Sequence, residues 1–194
     1  MMRAPSRAVL TGVLAAAAAF SVLLSALVGY APIALSDTVA ALFGGASEPV
    51  RLVVWEIRIP RALTAFLVGA ALGASGALLQ GLLRNPLADP GVLGVSASAA
   101  LGAVIAIYFN LAVISAFAVP VMAVGFALAA TVVLYIAGAA RLSAVQLVLV
   151  GVGLSSFAGA LTALAMNLSP NPFSLSDMVN WLLGSVANRS FADI

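Results

Sequence analysis

The chain has 194 residues, of which 64% are hydrophobic and only 7% charged, with a mean hydropathy of +1.22 and a net charge of +2. Soluble domains do not reach that composition, so lipid is the solvent for most of this chain. Cys and His are absent and every basic residue is Arg, which excludes thiol chemistry, imidazole catalysis, His-ligated metal and a phosphate-gripping Lys.

No metal, no cofactor and no catalytic residue is therefore expected, and any ATP must be handled by another polypeptide. The Arg residues are scattered, with no basic run interleaved with aromatics, and nucleic acid is set aside as a partner.

Arg3 and Arg7 precede an apolar run from Ala8 to Val28. Its length of about 20 residues exceeds the roughly 7–15 of a signal-peptide core and predicts a retained span. Four more apolar stretches follow: Ala62 to Leu83, Val92 to Phe109, Ala112 to Ala140 and Ala144 to Met166. Only helices satisfy their backbone internally across such lengths in lipid, so the fold class is all-α, a polytopic transmembrane bundle of about five spans. Pro32, Pro86, Pro90-Gly91, Asn110, Arg141 and the stretch from Ser169 to Pro172 supply the breaks. The fourth stretch exceeds a minimal span and is expected to tilt or to begin outside the hydrocarbon. Ser176 to Ser185, with an acid near its start and Trp181, predicts a short helix at an interface. The chain ends at Ile194 in mid-element, which reads as part of a longer protein whose C-terminal half is absent.

Small residues recur at four-residue spacing on three spans: Gly69, Gly73, Ala77, Gly81; Gly94, Ser98, Gly102, Ala106; and Gly151, Ser155, Gly159, Ala163. In lipid, where close helix contact relies on small side chains, such stripes predict a compact bundle. Placing the N-terminus in the cytoplasm puts Arg3, Arg7, Arg84 and Arg141 inside and Arg51, Arg58, Arg61 and Arg189 outside. The count is a tie, and the uncompensated Arg3 and Arg7 ahead of the first span break it.

Two segments depart from plain span-and-turn chemistry. In WEIRIPR, Arg58 and Arg61 lie three apart around Pro60 where the second span is expected to begin. Cations at a helix N-terminus oppose its dipole, and on the outer side they also run against the positive-inside tendency. Two readings stay open: recognition of an acidic partner, or snorkelling to lipid phosphates and pairing with Glu56. In RNPLADPG, Arg84 to Gly91, two Pro, an Asn and a Gly fix a turn between spans, and the small polar groups beside Leu87 fit an inner constriction. No Asp, Glu, Lys or Arg lies near the centre of any span, whereas ion-coupled carriers usually place one in their pathway. Gln80 is the deepest strongly polar side chain, near Ser75 and Thr64; such a residue is more often an interhelical tie than a substrate contact. Energy supplied from outside the membrane fits this pattern.

Through Arg58 to Ala103 (RIPRALTAFLVGAALGASGALLQGLLRNPLADPGVLGVSASAALGA), again at Leu147 to Ser156 (LVLVGVGLSS) and at Trp181 to Ser185 (WLLGS), the sequence resembles the FecCD-type permeases. These are subunits of ABC importers for iron-siderophore, haem or cobalamin. The resemblance implies a ten-span fold of two repeats, of which this chain carries the first, with the pathway between halves or subunits. It implies a second permease subunit, as a homodimer, two ATP-binding cassette subunits and a periplasmic substrate-binding protein as partners. Carried over by position, Arg58 and Arg61 match arginines that meet acids on the binding protein. Asn85 and Leu87 match a cytoplasmic gate, and Ala144 and Val145 match a second gate. The cobalamin branch has small hydroxyl residues at those last two positions, so this chain departs from it there. An ion-coupled carrier and a non-transporting membrane assembly protein are the competing readings.

Overall fold

The computed structural model describes residues 6–29, 31–85 and 89–194. The described residues form helices joined by turns, in two compact units: Met1–Leu72 with Val186–Ile194, and Gly73–Ser185. Among them, four helices are long and apolar enough to cross a membrane: Arg7–Leu27, Glu48–Leu83, Ala118–Ala139 and Ala144–Asn167.

In the first unit, α1 (Arg7–Leu27) starts at Ser6, whose hydroxyl accepts from the Val9 amide, and matches the expected first span within a residue. None of its residues is buried. The short α2 (Leu35–Leu42) ends in a Schellman motif: Gly44 adopts φ 80°, and the Gly45 amide donates to the Ala40 carbonyl. Glycine takes that left-handed position without a Cβ penalty.

The second span begins earlier than its apolar run. A continuous helix of 36 residues, Glu48–Leu83, comprises α3 (Glu48–Leu52), a π-helical stretch (Val53–Arg58) and α4 (Ile59–Leu83). Pro49 occupies the first turn of α3, where a missing amide costs nothing. Pro60, expected to mark the helix start, instead lies inside it. Proline has no N–H and crowds the carbonyl four residues back. The π register accommodates it, and the Ile59 amide donates to Val54, five residues back. At 1.5 Å per residue the whole helix is about 54 Å long against a hydrocarbon core of about 30 Å. Its polar N-terminal third, with Glu48, Arg51, Glu56 and Arg58, therefore projects beyond the core.

The second unit is built around its shortest long element. A 3-10 turn (Pro90–Leu93) leads into α5 (Val95–Tyr108), at 14 residues about 21 Å, less than a full span. The expected span from Val92 to Phe109 is corrected accordingly: Gly94, at φ 78°, breaks the helix three residues in. α5 is packed against α6 (Ala118–Ala139) and α7 (Ala144–Asn167) and holds more buried residues than any other element, including Leu101, Ala103, Val104 and Ala106. Shielded by protein, it does not have to match the bilayer on its own. α6 begins at Ala118 rather than Ala112, because a 3-10 turn (Leu111–Val113) intervenes and Pro120 fits only a first helical turn. α8 (Pro172–Leu183) starts a turn earlier than the interfacial helix expected from Ser176. Asn171 caps it by accepting from the Ser174 amide, and its fully buried Met178 anchors it.

Two of the three small-residue stripes work within this unit. A Cβ on Gly102 would overlap the Met122 carbonyl of α6, and one on Gly151 would lie 2.7 Å from the Leu93 Cα. On α4, by contrast, Cβ atoms added at Gly69, Gly73 and Gly81 would meet nothing within 4 Å.

Candidate functional site

The WEIRIPR segment is a strip of caps. Trp55 donates its indole N–H to the Ala41 carbonyl in the last turn of α2, at 3.1 Å. Arg58 is 3% exposed. Its Nη1 donates to the Leu27 carbonyl at 2.8 Å and to the Thr38 hydroxyl at 3.3 Å, and its Nη2 donates to the Ala31 carbonyl at 3.0 Å. Thr38, fully buried, donates its own hydroxyl to the Ala34 carbonyl. Arg61 is half-buried, and its Nη2 reaches the Ser25 and Val28 carbonyls, each at 3.4 Å.

Because their helix begins at Glu48, the two cations lie about three turns inside it, beyond the N-terminal dipole that the sequence set against them, and these bonds give them a different helix end to cap. α1 has no basic residue in its last turn, and its terminal carbonyls lack intrahelical partners. Arg58 and Arg61 supply the positive charge that a helix C-terminus attracts, from another helix. The expected common face for the pair is present, but its members are unequal. Arg58 is enclosed among neutral oxygens, with Glu56 exposed and not among its partners, whereas Arg61 is only partly buried. Of the two arginines expected to meet a partner, Arg58 is the less accessible. Arg51, which is exposed, ends α3 on the same projecting helix.

The turn after α4 has a defined start and exit. Arg84 adopts φ 49°, its amide donates to Gly81, and the Asn85 amide donates to the Gln80 carbonyl, completing a Schellman motif with an arginine in the usual glycine place. Gln80 itself is exposed and not tied to a neighbouring helix among the described residues. Leu87 lies outside the described residues. Asp89 accepts from the Gly91 amide at 2.6 Å and caps the 3-10 turn.

The turn's exit then lies on α7, where a Cβ on Gly94 would stand 2.8 Å from the Gly151 carbonyl. Ala144 and Val145 are exposed in the first turn of α7, about 10 Å along the helix from that crossing. Ser143 and Gln146 form a full capping box there: the Gln146 amide donates to the Ser143 hydroxyl, and the Gln146 carbonyl oxygen accepts from the Ser143 amide at 2.8 Å. The 3-10 turn that follows Asp89 is thus packed on α7, about 10 Å along that helix from its Ser143 cap.

No group of His, Cys, Asp or Glu among the described residues is arranged to hold a metal. A groove of about 450 Å3 runs between α1 and α4, lined by Ser21, Ser25, Ala62, Phe66 and Gly69 among others. A cavity of about 230 Å3 between α5 and α7 is lined by apolar side chains and Tyr108. Neither brings together an acid and a base.

The FecCD transport family pattern matches residues 17–194. An ABC transporter permease from Bacillus subtilis, YvrB, is 43% identical over 76% of this chain and 43% of its own length. The achromobactin transport permease CbrC of Dickeya dadantii is 39% identical over 81% of this chain and 45% of its own. The vitamin B12 import permease BtuC of Salmonella paratyphi A is 40% identical over 69% of this chain and 40% of its own. A solved inward-facing structure assigned to the metal-chelate type of ABC transporter superposes with a TM-score of 0.74 at 28% identity, covering 92% of this chain and 52% of that one. The chain therefore spans less than half the length of these curated relatives. With the pattern running from residue 17 to residue 194 and the apolar helices seated on a permease fold, the chain is a multi-pass membrane protein that belongs to the FecCD transport family.

Proposed function

We propose that this chain forms the first repeat of the permease subunit of an ATP-driven importer, moving an iron chelate (siderophore or haem) or cobalamin across the bacterial inner membrane. The match from residue 17 to residue 194 carries this reading. ATP hydrolysis belongs to partner cassette subunits, and a second permease subunit and a periplasmic binding protein complete the assembly. The N-terminus is cytoplasmic. Arg61 faces the binding protein, with Arg58 behind it. Asn85 with Leu87, and Ala144 with Val145, line the cytoplasmic closure, and Gln80 borders the pathway. The departure at Ala144 and Val145 favours an iron chelate over cobalamin.

The decisive experiment is uptake by the complete transporter in liposomes. ATP with binding protein should drive accumulation of a ferric siderophore, and collapsing ion gradients with ionophores should leave it unchanged. Arg61→Glu should weaken binding-protein affinity several-fold at low salt, and the loss should shrink at high salt, because rim charges act through screened steering. Uptake abolished by ionophores with ATP present would transfer the protein to the ion-coupled class.

A further inference from the structure

We propose that Arg58 is a positioning residue, a buried clamp that fixes the end of α1 and the start of α2 against the projecting helix and so holds Arg61 where a partner meets it. The inference rests on the docking role assigned to Arg61 above.

The clamp joins segments remote in sequence. One guanidinium bonds Leu27 at the end of α1, Ala31 in the following loop and Thr38 inside α2, at sequence separations of 31, 27 and 20 residues. A planar fork with several fixed donors can serve three acceptors at once, which an ammonium on a flexible stem does less well. The acceptors are neutral, so the favourable charge comes from the C-terminal end of α1 rather than from a counter-ion. A partner's carboxylate would have to displace three bonds at 2.8 to 3.3 Å and enter a site that leaves only 3% of the residue exposed. Arg61, only partly buried and held by two longer bonds at 3.4 Å, presents a lower barrier.

A second observation comes from the backbone beneath it. Gly29 lies so close that a Cβ there would stand 2.7 Å from Arg58 Nε and 3.0 Å from its Cζ. A single methyl group at residue 29 would thus dislodge the clamp while leaving every charge in the protein unchanged. That separates geometry from charge, which substitution of the arginine alone does not.

The test uses the complete transporter in nanodiscs, with melting midpoint and binding-protein affinity measured across a salt series. Gly29→Ala and Arg58→Gln should each lower the midpoint by several degrees, and the double variant should be no worse than the poorer single, because both remove one shared interaction. Both should lower affinity by a similar factor at every salt concentration, leaving the slope of affinity against salt intact. Arg61→Gln should flatten that slope with the midpoint unchanged. Arg58→Lys, which keeps the charge, should recover part of the midpoint. A flattened slope with a normal midpoint for Arg58→Gln would overturn the clamp and make Arg58 a docking charge, as would a Gly29→Ala variant indistinguishable from wild type. If Arg58→Gln fails to assemble, Gly29→Ala and Arg58→Lys decide on the same two readouts. A salt slope unmoved by Arg61→Gln would sink the docking role of Arg61, and the midpoints of the two residue-58 variants would still report on the clamp.

Discussion

Two arginines end helices in a conformation that usually belongs to glycine. Arg84 follows α4 at φ 49° and Arg141 follows α6 at φ 60°. A residue with a Cβ pays roughly 1–2 kcal/mol in the left-handed region. Glycine would relieve that strain but lose about 0.5–1 kcal/mol to its greater freedom when unfolded, leaving a net gain of about 0–1.5 kcal/mol. The charge is what glycine cannot supply. A cation at a helix C-terminus complements the dipole. Arg84→Gly should therefore raise the melting midpoint of the purified transporter slightly, and Arg84→Ala, which keeps the strain and loses the charge, should lower it. A glycine variant that melts below wild type would show that the guanidinium contributes more than the backbone strain costs.

At the scale of elements, the spans were legible where local chemistry alone set their limits. α1 and α7 follow their apolar runs within a residue, because Ser6 and the Ser143–Gln146 box are local caps written in adjacent residues. The third apolar run outlasts its helix because a single glycine at φ 78° divides it without interrupting the hydrophobicity. The second helix outlasts its apolar run because Pro60, a residue typical of helix starts, is internal in the π register. The pairing of Arg58 with Leu27 and Ala31 was not legible at all, since it depends on how α1 returns to the projecting helix. The turn from Arg84 to Gly91 stands between these cases. Its residues announce a turn, while its seat on α7 through Gly94 and Gly151 is a tertiary fact. If that turn is a gate, shortening side chains at the constriction removes contacts made only in the closed state and shifts the population toward opening. Asn85→Ala with Leu87→Ala should then speed leakage of preloaded siderophore from liposomes without ATP, at unchanged expression and melting midpoint. Unchanged leakage with intact folding would leave the motif as a turn.

For the molecule as a whole, the informative feature is a row of glycines on α4 whose added Cβ atoms would touch nothing among the described residues. Each glycine inside a helix costs up to about 1 kcal/mol relative to alanine, yet α4 carries Gly69, Gly73 and Gly81 at positions where an added Cβ would meet no atom within 4 Å. In the second unit the same kind of stripe is explained by close contact, Gly102 against Met122 and Gly151 against Leu93. Small residues allow helices to approach in lipid, where packing rather than water drives association. The α4 stripe therefore fits a helix supplied by the remainder of the permease, in a family whose relatives are more than twice as long as the part matched here. Substituting by size tests this. Gly73→Ala should be tolerated in the complete transporter, since it gains helix propensity and adds one methyl group. Gly73→Leu should reduce recovery of the intact complex with its cassette subunits and lower its melting midpoint, because the branched side chain would fill the space that a second helix needs. Wild-type assembly and melting for Gly73→Leu would mean that the stripe faces lipid acyl chains, and the open face of α4 would then be an outer surface of the transporter.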